Sequence, residues 1–365
     1  MTKDKILLLI KIPPPVTGAT LMNARVRDSE LLKQSFNIDI IQMSYASSLN
    51  DLGSYRLMKF VKYIKYSTNL FFKVLFNRYA FAYFQISPLG ISFLRDCFLV
   101  SILKLFNVKI LYHLQGKGIS KQNNYLFKKL YRYIFKYESV IILSELLKYD
   151  IEDVHKGQVF IVPNGIPVCK NNYRKNKYVN ESLNLLFLSN LLESKGLFDF
   201  IDAMKILNNK GIVFNAVIVG AEGDISEKEL EKILIENSLQ DRIKYLGPKY
   251  GEDKIKIYEA TDILVFPTLE DIWGNVNLEA MQFGIPIIAT REGAIPEIID
   301  DKITGFLVDK NQPDQIADKV EILSIDAELR KKMGEAGRKK FLEKYTFEIF
   351  EENMKRVFET ILSKN

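Results

Sequence analysis

Two acidic side chains flank a predicted helix start in the segment FPTLEDIWGNVNLEAMQFGIPIIAT, residues 266–290. A buried strand leads into a loop that carries Glu270 and Asp271, and a helix begins near Gly274 with Glu279 just over one turn inside it. A helix start presents backbone N–H groups and partial positive charge, which suits a diphosphate. Carboxylates accept hydrogen bonds from sugar or ribose hydroxyls. The segment predicts a site for both, although an acidic helix start that only caps itself is the alternative.

The first half of the chain offers two further candidate positions. Gly18, in PPPVTGATLMN, opens a helix and lets the backbone approach a ligand, the alternative being an ordinary strand-to-helix turn. His113 ends the apolar strand VKILYH, where a side chain faces a ligand cleft, the alternative being a hydrogen-bonded strand-end histidine. We expect no bound metal and no Ser-His-Asp triad, because the sequence shows neither spacing.

Short β-type runs alternate with helical patterns along the chain, which is typical of parallel sheets with crossover helices. Six such runs precede the polar segment 163–182, the predicted linker, and six follow it. We expect two facing doubly wound, Rossmann-like α/β domains, residues 1–165 and 166–346, with a ligand cleft between them. The last helix, in 347–365, has no strand of its own and is expected to pack back on the first domain.

Composition places the chain among globular proteins of a reducing compartment. Hydrophobic residues make up 47% and charged residues 26%, and only two cysteines are present. Residues 1–170 carry 24 Lys and Arg against 11 Asp and Glu, a net charge of +13, whereas the remainder has a net charge of −7. This asymmetry suggests that the two halves meet different partners. We expect no transmembrane span and interpret the apolar start as a first strand rather than a signal peptide.

The segment around Asp271 resembles the E-x7-E signature of family 4 glycosyltransferases, which is followed by a G-x-P-V-I-A-T element; this chain has GIPIIAT there. Asp271 to Glu279 keeps the spacing, with Asp in place of the first Glu, and Trp273 and Gly274 occupy the F-G positions. Glu270 is a possible compensating acid. The resemblance implies that Gly274, Asn275 and Val276 form the donor-phosphate helix start. It also implies that Glu279 holds the ribose and Asp271 the donor sugar.

Other segments in order carry the same resemblance. FLSNLLESKG, residues 187–196, is similar to the family's strand-to-loop segment, which implies that Lys195 binds the donor phosphates. Asn190 stands where the family usually has an arginine, and Arg291 is a candidate replacement for that cation. The remaining implied donor-binding positions are Gly220 in VIVGAEGD, and Leu246 and Gly247 near the nucleobase. GAIPEII, residues 293–299, matches the family's G-G-x-P-E element.

The resemblance implies a retaining, metal-free enzyme of the GT-B fold that uses no cofactor and takes a UDP- or GDP-linked sugar as donor. Gly18 would lie beside donor and acceptor, and His113 near the transferred sugar, with Gln115 as the alternative for the family's histidine position. The acceptor would be a sugar or lipid-linked oligosaccharide in capsule, lipopolysaccharide or exopolysaccharide assembly. Two alternatives stay open: a sugar-nucleotide epimerase of the same fold, and an inactive sugar-nucleotide-binding module.

A basic and aromatic stretch, residues 55–84, lies within a region without any acidic residue between Asp51 and Asp96. Its basic residues recur every three positions from Arg56 and interleave with aromatic side chains, a pattern typical of a helix that lies on an anionic bilayer. A packed helix with a solvated basic edge is the alternative, and nucleic-acid binding is not expected. The sequence therefore predicts a cytoplasmic enzyme that associates with the inner face of the membrane.

Overall fold

The chain folds into two compact units, Met1–Asn164 with Glu348–Asn365 (unit 1), and Gly165–Phe347 (unit 2). Part of the predicted linker, residues 170–182, and residues 55 and 56 of the basic stretch lie outside the described part of the chain. The computed structural model describes residues 4–14, 16–45, 57–169 and 183–363.

Unit 1 is built on one parallel sheet. Its six strands are β1 (Lys5–Lys11), β2 (Asn37–Met43), β3 (Phe81–Phe84), β4 (Ile110–His113), β5 (Ser139–Ile142) and β6 (Val159–Ile161). They lie in the order β2-β1-β3-β4-β5-β6. The helices between them are α1 (Gly18–Asp28), α2 (Glu30–Ser35), α3 (Leu57–Phe76), α4 (Gly90–Leu105) and α5 (Tyr125–Phe135), and a 3-10 turn spans Glu145–Asp150.

Unit 2 has the same architecture. Its strands are β7 (Leu183–Leu188), β8 (Phe214–Val219), β9 (Ile243–Tyr245), β10 (Ile263–Phe266), β11 (Ile287–Thr290) and β12 (Gly305–Val308). They lie in the order β12-β11-β10-β7-β8-β9. A 3-10 turn spans Glu193–Lys195, and the helices are α6 (Leu197–Asn209), α7 (Glu227–Glu236), α8 (Gly251–Ala260), α9 (Asn275–Gln282), α10 (Ile295–Ile298), α11 (Pro313–Ile325) and α12 (Ala327–Lys344).

The last helix, α13 (Phe347–Leu362), completes unit 1 after the chain has formed unit 2. The ring of Phe358 is fully buried and lies 5.6 Å from that of Phe36, 5.2 Å from that of Phe81 and 5.8 Å from that of Tyr83. Such aromatic contacts add to the free energy gained by burying the rings. Helix α13 is thus an integral part of the core of unit 1.

The predicted α/β class with two doubly wound sheets is confirmed, and each of the twelve predicted runs contains a strand. The central strands are continuous apolar runs, such as β1, in which Ile6–Ile10 are all fully buried. Strands of parallel sheets are covered on both faces, which is why such runs are easy to recognise in a sequence. Within the described part of the chain, no helix has the length and apolar character needed to cross a bilayer.

Candidate functional site

Several predicted site residues of unit 2 lie on the loops where the strand order of its sheet reverses. Strand β7 has β8 on one side and β10 on the other, so the loops after β7 and β10 leave the sheet as neighbours at its carboxyl edge. The carbonyl oxygen of Ser194 accepts hydrogen bonds from the N–H groups of Leu269 (2.9 Å) and Glu270 (3.0 Å). This edge of an open α/β sheet is the usual place for a ligand.

Lys195 is held by the loop that follows β10. Its Nζ donates to the Asp271 Oδ2 atom at 2.8 Å and to the Glu270 carbonyl oxygen at 2.7 Å. The next residue, Gly196, has a φ of +74°, and a Cβ there would lie 1.9 Å from the Pro267 carbonyl oxygen. Glycine is therefore required where the two loops meet, and this close approach fixes the position of the lysine.

Asp271 organises the approach to α9 with its other oxygen. Its Oδ1 atom accepts hydrogen bonds from the N–H groups of Ile272 (2.8 Å), Trp273 (3.1 Å) and Gly274 (2.9 Å). Gly274, at φ +74°, is the N-cap residue that precedes α9. The N–H of Asn277, in the first turn of α9, donates to the Gly274 carbonyl at 2.9 Å. The helix dipole places partial positive charge at this start, beside the half-buried Asn275 and Val276. The Glu270 side chain is exposed, and the contact it makes to Lys195 is through its backbone.

Glu279 is bound by two residues of α8 that the sequence reasoning missed. Lys254 Nζ lies 2.7 Å from its carboxylate, and the Tyr258 hydroxyl donates to Oε2 at 2.6 Å. Burial, and secondarily the charge of Glu279, raises the pKa of Tyr258 well above its usual range, so this hydroxyl keeps its proton. The Tyr258 ring also stacks on Phe283 at 5.3 Å. Lys254 and Tyr258 are four residues apart and so share one face of α8, but this spacing does not indicate which helix that face contacts.

The remaining predicted donor positions lie at the carboxyl ends of β7, β8 and β9. Asn190 accepts a hydrogen bond from the Ala221 N–H at 3.1 Å and so ties the loops after β7 and β8 together. The Gly220 N–H donates to the Gly247 carbonyl at 3.2 Å, and Leu246 follows β9 with its N–H bonded to Ile218. A Cβ at Gly220 would lie 1.9 Å from the Ser189 carbonyl oxygen, so backbone packing demands glycine there.

Arg291, the candidate replacement for the family's arginine, is engaged near β12. Its guanidinium donates to the Leu307 carbonyl at 2.8 Å and lies 3.2 Å from Asp301 and 3.6 Å from Asp309. These contacts hold the side chain at the end of β12, which is three strands away from β7 in the sheet. Among the predicted cations, Lys195 is the one that the structure places between the loops after β7 and β10.

In unit 1, His113 belongs to a buried polar chain at the end of β4. Its Nδ1 lies 2.7 Å from the Tyr83 hydroxyl, and its Nε2 lies 2.8 Å from Nε2 of Gln115, which in turn donates to Asn164 at 3.0 Å. Burial lowers the pKa of His113 to about 3, so the imidazole is neutral at physiological pH. The two residues considered for the family's histidine position are thus in direct contact.

Gly18 is exposed at the first position of α1, and Thr17 caps the helix with a reciprocal hydrogen-bond pair to Thr20. This capping explains where the helix starts without a ligand. Among the residues that the structure describes, no group of three or more His, Cys, Asp or Glu side chains is arranged to hold a metal ion.

Comparison with known proteins places this geometry in a family. Residues 170–340 match the family model described as glycosyl transferases group 1. The chain is 28% identical over 281 residues, 72% of each protein, to the capsular polysaccharide biosynthesis glycosyltransferase CapM of Staphylococcus aureus. It is 30% identical over 237 residues, 63% of each protein, to an uncharacterized glycosyltransferase of Methanocaldococcus jannaschii.

Solved structures share the fold over the whole chain. Sucrose-phosphate synthase from Thermosynechococcus elongatus superimposes with a TM-score of 0.79 at 18% identity and full coverage of both chains. Anabaena HepE, solved in complex with UDP and glucose, gives a TM-score of 0.73 at 15% identity, covering 98% of this chain and 100% of that one. The expected GT-B fold is confirmed by these likenesses. Residues 170–340 are therefore a group 1 glycosyltransferase segment, set in a chain with the GT-B fold.

Proposed function

We propose that this glycosyltransferase is a retaining enzyme that moves a sugar from a UDP- or GDP-linked donor onto a sugar or lipid-linked oligosaccharide in surface polysaccharide assembly. The observation that carries the proposal is the position of Lys195, between the Glu270 carbonyl and Asp271 at the reversal point of the sheet. The capsular role in the name of one relative, and the UDP and glucose in one solved neighbour, support the substrate class.

The residues of unit 2 take complementary roles in this proposal. The leaving diphosphate lies between the start of α9 and the Lys195 ammonium, which stabilises the charge that develops as the bond to the sugar breaks. Glu279 accepts hydrogen bonds from the ribose hydroxyls. Asp271 meets a donor-sugar hydroxyl through the lone pairs that its contacts with the backbone and Lys195 leave available. The acceptor oxygen attacks the same face of the sugar, and its proton passes to the leaving phosphate.

In this scheme residues 166–346 bind the donor and residues 1–165, with the last helix, bind the acceptor. Gly18 allows the backbone to approach the substrates. His113 stays neutral, and through its contact with Gln115 it positions the Gln115 amide near the transferred sugar. Asn190, Gly220, Leu246 and Gly247 shape the nucleotide site through their backbone and loop contacts. A cytoplasmic location at the inner face of the membrane, approached through residues 55–84, suits a lipid-linked acceptor.

The test is mass spectrometry of the purified protein with a panel of nucleotide sugars, with and without acceptor-containing membranes. We expect one donor to be consumed, with release of nucleoside diphosphate and transfer of the sugar with its anomeric configuration retained. Conversion of a nucleotide sugar into its epimer without acceptor would instead show an epimerase. Donor binding without any release of nucleoside diphosphate would show an inactive binding module.

A further inference from the structure

Helix α3 of unit 1 presents large apolar side chains to solvent. Phe76 is 75% exposed, and its exposed apolar neighbours recur at spacings of three and four residues along the helix. This is the periodicity of one helical face, opposite the face that buries Ser67, Leu70 and Val74 in unit 1. The exposed apolar positions used here are Phe60, Val61, Ile64, Phe72, Leu75 and Phe76.

Helix α4 continues this surface. Its exposed stripe consists of Ile91, Leu94, Phe98 and Leu105, with Ser101 between them. The Phe98 ring contacts Tyr63 of α3 at 5.9 Å, and Phe71 of α3 contacts Phe106, just after α4, at 5.4 Å. The exposed apolar residues of the two helices therefore form one continuous surface, which we call the α3–α4 face.

A helix with apolar side chains on both its inner and its outer side usually has both sides buried by neighbouring molecules or elements. Contiguous apolar patches of this kind on a folded domain mark protein or membrane contacts. The stacked rings of Phe72 and Phe76, 6.2 Å apart and nearly parallel, and the exposed Leu75 are near the carboxyl end of α3. Their exposure to water carries a free-energy cost that an apolar partner would remove.

The charge around the face decides between the possible partners. No acidic residue occurs between Asp51 and Asp96, whereas Lys62 and Lys65 border the apolar stripe of α3. Lys73 is turned inward, where it pairs with Asp39. A second copy docked on the same face would bring like charges together, which is unfavourable. An anionic lipid surface instead attracts the lysines and accepts the apolar side chains.

We propose that the α3–α4 face inserts into the boundary between head groups and acyl chains of an anionic membrane, with Lys62 and Lys65 on the phosphates. The inference rests on the proposed function, since it deepens the membrane contact expected of an enzyme with a lipid-linked acceptor. It differs from attachment by a basic helical face, because the centre of the exposed surface is apolar. Attachment therefore has a component that salt does not screen.

The experiment measures co-sedimentation of the full chain with vesicles of phosphatidylglycerol and phosphatidylcholine, at low salt and at ~0.5 M KCl. We expect a substantial fraction to stay bound at high salt. Phe72→Ser with Phe76→Ser should weaken partitioning ~10-fold or more at both salt concentrations. Lys62→Glu with Lys65→Glu should weaken it mainly at low salt. Ile325→Ser, at an 84% exposed position of unit 2, is the matched control and should change nothing.

A second measurement locates the contact directly. Trp273 is the one tryptophan of the chain and is buried, so Phe76→Trp adds an exposed reporter. Its emission should shift to the blue and be quenched by lipids brominated on their acyl chains. Loss of all vesicle binding in high salt, or an unquenched reporter, would overturn the proposal. A dimer in analytical ultracentrifugation that Phe72→Ser with Phe76→Ser dissociates would show that a second copy covers the face.

Donor hydrolysis by the same variants in lipid-free solution separates this inference from the proposed function. If the wild type hydrolyses the donor but does not bind vesicles, the proposal that the α3–α4 face inserts into a membrane is wrong, and the proposed enzyme function is unaffected. If vesicle binding follows the expected pattern but no donor is hydrolysed, the membrane contact of the α3–α4 face is supported and the proposed reaction is wrong.

Discussion

The ammonium of Lys195 and the carboxylate of Asp271 lie 2.8 Å apart, although 76 positions separate them in the sequence. The pair joins the loop after β7 to the loop after β10. Because the other oxygen of Asp271 collects the N–H groups ahead of α9, one carboxylate sets both the position of the cation and the start of the helix. The two elements proposed to bind the diphosphate therefore form one rigid unit.

Replacing Lys195 with alanine should lower turnover by ~100-fold or more, because an electrostatic contact to the leaving diphosphate is lost. Steady-state release of nucleoside diphosphate measures the effect. Lys210, a partly exposed lysine of unit 2 paired with Asp318 and Glu321, provides the matched control. If Lys195→Ala and Lys210→Ala have the same turnover, the proposed role of Lys195 is wrong.

Two substitutions of Asp271 should separate its charge from its hydrogen bonds. Asp271→Asn keeps an oxygen for the three N–H groups, so we expect a melting temperature near that of the wild type and lower turnover. Asp271→Ala leaves those amides without their acceptor and should also destabilise unit 2 by ~1–2 kcal/mol. Calorimetric unfolding together with turnover tests this. Equal turnover of Asp271→Asn and the wild type would show that the charge of Asp271 does not contribute to turnover.

Substitutions around Glu279 should act on nucleotide binding. Glu279→Gln removes the charge and should weaken nucleoside diphosphate binding by ~1–3 kcal/mol in isothermal titration calorimetry. Tyr258→Phe keeps the stacking on Phe283 but loses the hydrogen bond that orients the Glu279 carboxylate. It should weaken nucleoside diphosphate binding by ~0.5–1.5 kcal/mol. Lys254→Met should also weaken binding. Lys256→Met, an exposed neighbour on α8, serves as control, and unchanged affinity of Glu279→Gln contradicts the ribose role.

The buried His113 should make stability depend on pH. Burial lowers the pKa of His113 from 6.5 to about 3, so below pH 6.5 the unfolded chain binds a proton that the folded chain does not. The free energy of unfolding should therefore fall as pH falls, by about 2 kcal/mol from this group between pH 7 and pH 5. Urea unfolding of the wild type and His113→Gln measures the difference. Parallel pH profiles for the two proteins would contradict it.

Chelation should leave turnover unchanged. In the proposed mechanism Lys195 and the start of α9 supply the positive charge that other enzymes take from a divalent ion. Turnover is measured after dialysis against EDTA and again after addition of Mg²⁺ or Mn²⁺. Strong inhibition by EDTA that one of these ions reverses would show that the metal-free assignment is incorrect.

The fold was predictable because its signals are local. Each predicted run contains a strand, since the strands are short apolar segments such as KILLLIK bounded by polar residues. The resemblance to family motifs likewise picked out segments 187–196 and 266–290, which contain the loops after β7 and β10. The ends of the strands are harder to predict from composition: β3 ends at Phe84 although the apolar pattern continues with Ile86, because hydrogen-bonded pairing decides where a strand ends.

Contacts between elements were harder to foresee. The partners of Glu279 on α8 depend on how α8 and α9 pack, which no local pattern specifies. Likewise, the lysine spacing on α3 suggested a basic face toward a membrane. The face that unit 1 leaves uncovered is instead dominated by Phe72, Leu75 and Phe76, because the side that packs inward is chosen by the neighbouring elements.

The return of α13 has a consequence for biosynthesis. Residues 165–347 form unit 2 without a break in the chain, and the backbone enters and leaves it side by side, where the N–H of Ile166 bonds to the Tyr345 carbonyl. Unit 1 lacks Phe358 until the ribosome has made the whole of unit 2. Until α13 is synthesised, Phe36 and Phe81 lack the ring contacts that Phe358 makes in the folded protein. We therefore expect chaperones to act on the first half of the nascent chain.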